Sequence, residues 1–141
     1  SGANGDYQQI DAVEPLHAVL RDPSAPNGAI QFFPSHPHEG AVSAPAGEPA
    51  RVIAKGRSKA TGAVFNIAVA FEGDGRVGRA IAQSTFHHFC DYNWDPRVGA
   101  PSFVDEPPGD GMLRRTEARA ATHRYALNVA RWLAGRPTVA G

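Results

Sequence analysis

Residues 63–72 read AVFNIAVAFE, and their alternation decides the fold. The odd positions Phe65, Ile67, Val69 and Phe71 are large. The even positions Val64, Asn66, Ala68 and Ala70 are mostly small. A period of two with apolar residues on both faces describes a central strand, buried on each side. Gly73-Asp74-Gly75 follows, and then RVGRAIAQ over residues 76–83, a second strand. A connection this short joins antiparallel neighbours, because a parallel return needs a crossover of about a dozen residues.

Working outward, AIQFF (29–33) and RVIAK (51–55) read as two more strands. Residues 12–20 suit one or two helical turns, while 1–12 are polar and expected to be loosely held. Residues 21–28, 34–49 and 98–112 are rich in proline and glycine and read as loops. Residues 116–134 form a helix in which Ala118, Ala121, Tyr125, Val129 and Trp132 share a stripe. Thr116 is placed to cap its start, and Gly135 followed by Pro137 ends it. The expected class is α/β: a mixed sheet with an antiparallel hairpin and a C-terminal covering helix. Residues 1–141 make a single domain or part of one.

Composition bounds the function. The chain has 141 residues and a formal net charge of +0, with no basic footprint for nucleic acid and no acidic tail. Val, Ile, Leu and Phe make up about a fifth of it, at the low edge for a globular fold. The longest apolar run, 63–71, is too short to span a bilayer and contains Asn66, so no membrane partner is expected. A single cysteine, Cys90, excludes an internal disulfide framework and a cysteine-rich zinc site. No secretory leader is recognisable, and a cytoplasmic location is favoured.

Two segments carry chemistry. His36-Pro37-His38-Glu39 follows the AIQFF strand, and His87-His88 with Asp91 follows the RVGRAIAQ strand. In open α/β sheets ligands gather beyond strand carboxyl ends. In an extended segment His36 and His38 point the same way, whereas His87 and His88 in a strand point opposite ways. A divalent metal such as zinc would draw three or four ligands from His36, His38 and one of His87 or His88, with Glu39 or Asp91. In the alternative, these imidazoles and acids bond to one another and pin two long loops. Cys90, between aromatics and without flanking glycines, reads as a small buried apolar group. His17 and His123 read as structural or exposed.

Several of these segments resemble a known family. The stretch through Gly75-Arg76-Val77 to Ser84-Thr85-Phe86-His87-His88-Phe89, with Asn128 and Trp132-Leu133 on the last helix, is similar to the C-terminal half of a class I glutamine-amidotransferase-like domain, nearest the trehalose-utilisation-type (ThuA-like) branch. Ile30-Gln31-Phe32-Phe33 leading to His36-Pro37-His38-Glu39 resembles that family's Gln-Phe-His-Pro-Glu segment, which carries a catalytic His and Glu. The resemblance spans roughly residues 28–135 and implies a flavodoxin-like parent fold. The family's Gly-x-Cys-x-Gly elbow is absent, two residues are inserted before His36, and the first βαβ units are missing. Glutaminase activity is therefore not expected. Two functions stand at this level. One is a structural or interaction module that completes its sheet by self-association or with a second chain. The other is a small-ligand or metal-dependent hydrolase site built from the two histidine loops.

Overall fold

The computed structural model describes residues 2–138. Among these residues six strands form two sheets: β1 (Tyr7–Gln9) pairs with β3 (Phe32–Pro34), and β2 (Asp11–Ala12), β4 (Ala50–Arg57), β5 (Val64–Phe71) and β6 (Ala80–Gln83) lie in the order β2-β4-β5-β6. Three helices follow: α1 (Asp91–Trp94), α2 (Gly111–Arg114) and α3 (Thr116–Leu133). The class is α/β, with a C-terminal helix as expected. Every strand pair among the described residues is antiparallel, so the sheet is not mixed in direction. It contains no parallel pair of the kind a flavodoxin-like fold is built on, because no connection between neighbouring strands is a helical crossover.

The decisive strand behaves as its pattern demands. Ile67, Ala68, Val69 and Ala70 are all fully buried, so both faces of β5 are covered. Ile53, Ala54, Ile67, Ala68 and Ala70 share one apolar cluster with Tyr125, Val129 and Trp132 of α3. The hairpin is antiparallel, pairing Val69 with Ala82 and Ala70 with Ile81. Its loop is longer than Gly73-Asp74-Gly75, however, since β6 begins only at Ala80 rather than at residue 76. Asp74 Oδ1 accepts the amides of Arg76 (2.9 Å) and Val77 (3.0 Å), and this side-chain competition keeps 76–79 out of the ladder. Gly73 has φ +74°, and a Cβ there would sit 2.6 Å from the Val77 carbonyl oxygen, so the turn requires glycine.

Other boundaries also move. β4 extends the 51–55 strand in both directions and carries register shifts around Ala54. In the 29–33 segment only the end is strand: Ala29 bridges Arg21, and the ladder with β1 covers Phe32–Pro34. Residues 12–20 hold a single 3-10 turn, Ala18–Leu20, capped by His17 Nδ1, which accepts the Val19 amide (3.3 Å). Helix α3 spans Thr116–Leu133 without a side-chain cap from Thr116, which is already its first helical residue. At the other end Gly135 takes φ +69°, donates its N–H to Trp132 O (3.0 Å), and lets Arg136 donate to Arg131 O (2.8 Å). That is a glycine-terminated Schellman stop. Asn128 anchors the helix by donating from Nδ2 to Val19 O (3.2 Å) and Arg21 O (2.9 Å). Among the described residues no helix is long and apolar enough to cross a membrane.

The largest correction concerns residues 1–12. Residue 1 lies outside the described residues; residues 2–12 are not loosely held, for they supply β1 and β2, and Asn4, Gln8 and Ile10 are buried. Their polar groups satisfy other loops. Asn4 O accepts Gly109 N–H (2.7 Å), Gly5 O accepts Met112 N–H (2.9 Å), and Asp6 Oδ1 accepts Gly111 N–H (2.9 Å). Polarity there reflects backbone groups needing partners, not solvation.

Candidate functional site

The loop after β3 and the turn after β6 do meet, but they form two centres instead of one. A 3-10 turn, Phe86–Phe89, follows β6, and Thr85 Oγ1 caps it by accepting the His87 amide (3.2 Å). In this tight turn neighbouring side chains diverge, as in a strand, but His88 points inward and His87 outward.

The inner centre is Glu39 with His88. Their side chains are 1% and 0% exposed, and His88 Nε2 lies 2.9 Å from Glu39 Oε1. The same oxygen accepts Ser84 Oγ (2.8 Å), and Oε2 accepts Gln8 Nε2 (2.6 Å). His88 Nδ1 lies 2.8 Å from Gln83 Oε1, and Gln83 Nε2 donates to Tyr125 OH. Gln8 also donates to Pro34 O (3.2 Å), and Trp94 Nε1 donates to His88 O (2.8 Å). Burial by itself would raise the Glu39 carboxyl; the hydrogen bonds from His88, Gln8 and Ser84 outweigh it and hold Glu39 below the ordinary carboxylate value. Burial pushes Tyr125 upward, so its hydroxyl stays neutral. The network ties β1, the loop after β3, β6 and α3 together.

The outer centre is a ring stack. His36 and His87 lie face to face with centroids 3.5 Å apart, and Phe86 stacks on His87 at 4.1 Å. His87 Nδ1 lies 3.2 Å from Asn93 Oδ1, and Asn93 Nδ2 donates to Asn4 Oδ1 (2.8 Å) and Ser35 O (3.2 Å). Burial, followed by the neighbouring His87, lowers the His36 pKa.

This geometry overturns the expected metal point. Ring nitrogen lone pairs lie in the ring plane, so stacked imidazoles aim them side by side and not at a common ion. His36 and His38 are not extended: His38 N–H donates to His36 Nδ1 (3.1 Å), closing a turn that occupies that nitrogen, and the His38 ring is exposed. Asp91 is exposed and accepts the Tyr92 amide (2.7 Å), so it orients no imidazole. Among the described residues no group of three or more His, Cys, Asp or Glu is placed to hold a metal ion. Zinc is thus left without a ligand set at His36, His38 and His87.

The arrangement is not a nucleophile-base pair either. Ser84 Oγ donates to Glu39 and not to His88, whose two nitrogens are both occupied. Cys90 is half-buried rather than buried; burial and the adjacent Asp91 raise its thiol pKa, which disfavours a thiolate. His17 is buried, 3.0 Å from Glu72 Oε1 and edge-on to Trp132, while His123 is exposed beside Trp94. Gln8, Gln83, Ser84, Asn93 and Tyr125 belong to the two centres without any sequence signal, since no spacing rule marks a glutamine or serine as a partner of a distant carboxylate. Comparison with protein-family models, with curated proteins and with solved structures finds no match.

Proposed function

We propose that this chain is a non-catalytic interaction module of amidotransferase-like descent, and that it works by offering a sheet edge to a partner strand. The descent rests on the short motifs at residues 30–39, 75–89 and 128–133. The observation that carries the non-catalytic reading is the saturation of Glu39. Both its oxygens accept hydrogen bonds from groups of the chain, and its own side chain and that of its imidazole partner are almost wholly buried. Such a centre serves to hold loops in place.

What is left open is the edge of the larger sheet. β6 pairs with β5 on one side, and no described strand pairs with the other. Exposed unpaired edges invite an added strand.

Acylation of histidines by diethyl pyrocarbonate in the folded protein tests this reading. His36, His38 and His123 react, and His88 stays unmodified until the protein is unfolded. Modification of His88 at the rate of His123 under native conditions would mean that solvent reaches the Glu39 centre, and the non-catalytic reading would fail.

A further inference from the structure

The β6 edge is the strongest unexplained surface of the molecule, and its details point to an occupant. Ser84 N–H donates to Ile67 O (2.8 Å), which places the even-numbered residues of this strand on the β5 ladder. By alternation, the N–H and C=O groups of Ile81 and Gln83 point outward. Residues 80–83 read AIAQ, with no charge, proline or register shift. Those are the devices by which edge strands are normally guarded. Two exposed apolar side chains flank the strand: Val77 (70% exposed) before it and Phe86 (71% exposed) after it. The opposite edge is different. β2 has two residues, places Asp11 opposite Lys55, and is followed three residues later by Pro15.

Taking as its basis the edge reading above, we infer that the occupant is a second copy of this chain, joined β6 to β6 about a two-fold axis through Ala82. In that register Ala82 faces Ala82 of the other copy as a non-hydrogen-bonded pair, and Ile81 faces Gln83 in both directions. All four outward-facing N–H groups, two from each copy, then find a carbonyl. The register is the natural one for a four-residue strand, because it alone uses every outward group within residues 80–83 on both copies. The small side chain at the two-fold suits the close approach of a non-hydrogen-bonded pair. Ile81 and Gln83 already face the core side, where Ile81 packs on the apolar cluster and Gln83 meets Tyr125, so they need not move. The two four-stranded sheets become one of eight strands. Zero net charge leaves no long-range repulsion between copies.

The test combines sedimentation with amide hydrogen exchange on the full chain and on two variants. The wild type sediments as a dimer at micromolar concentration, and protection at Ile81 and Gln83 rises with concentration. Ala82→Lys and Ala82→Glu each place like charges opposite one another and weaken dimerisation several-fold at low salt. Mixing them restores a dimer of one copy each, which also shows that both variants are folded. A wild-type monomer whose Ile81 and Gln83 amides exchange freely at all concentrations overturns the second-copy assignment but leaves a different partner strand to the edge. A dimer whose Ile81 and Gln83 amides are unprotected, or one indifferent to both Ala82 variants, overturns the β6 interface itself. The histidine acylation result is independent of all these outcomes.

Discussion

His87 and His88 are neighbours in sequence, yet they belong to different physical worlds. His88 is enclosed, with one nitrogen on Glu39 and the other on Gln83. His87 sits half-buried between the faces of His36 and Phe86, with one nitrogen near Asn93. The identity of a side chain does not assign its role; the number of its polar atoms already answered by the protein does. Glu39 and His88 are committed to holding the chain together. His36 and His87 are a surface stack whose members can still respond to solvent.

Substituting the two histidines one at a time should give the largest effect. His88→Ala leaves the Glu39 carboxylate and the Gln83 amide without their partner inside a closed space, and should destabilise by about 3–5 kcal/mol. His87→Ala removes a partly exposed ring and should cost less than about 1 kcal/mol. Denaturant melts of the two variants decide the matter: equal losses would mean that the two centres are equivalent. Trp132→Ala serves as a yardstick from the ordinary apolar core. Buried among His17, Arg79 and the cluster residues, it should also cost roughly 3–5 kcal/mol.

Acid sharpens the same contrast. The Glu39 carboxyl is depressed in the folded state, so the unfolded chain binds its proton first. Its contribution to stability is therefore fully present above the ordinary glutamate pKa of about 4.3 and is lost as pH falls through the folded value. Glu39→Gln should abolish this component, so that a melt series from neutral pH downward is flatter than that of the wild type below that point. A series of unchanged slope would remove Glu39 from the account of acid sensitivity.

The smallest effect belongs to the stack. The His36 pKa is lowered by burial and by His87, so the folded state binds the proton less readily than the unfolded state. The stack's contribution is complete above the ordinary histidine pKa of about 6.5 and declines as pH drops below it. An NMR titration should show His36 moving back toward the ordinary value in His87→Ala. An unmoved titration would mean that the rings are not in contact in solution.

Much of the scaffold was legible. The both-faced apolar pattern of 63–72, the antiparallel return within 76–83 and the stripe of α3 all follow from local periodicity, which the chain cannot satisfy in another way without exposing Ile67, Val69 or Tyr125. Residues 2–12 were not legible. Their burial depends on Gly109, Gly111 and Met112, a hundred residues away, whose amides need their carbonyls and carboxylate. The ligand set was misread for a related reason. His36 and His38 as an extended pair would converge, but the His38 amide folds back on His36 Nδ1 and closes a turn.

Local order along the chain accounts for the central strand, its antiparallel neighbour, the amphipathic helix and its glycine stop. Periodicity and turn chemistry act between residues a few places apart, so they are written in order. Which histidine meets Glu39, that Gln8 and Ser84 complete it, and that β6 lies at an edge are settled by the packing of distant segments. Those outcomes depend on distances between segments far apart in the chain, where burial forces each polar atom to find whichever partner the fold brings near.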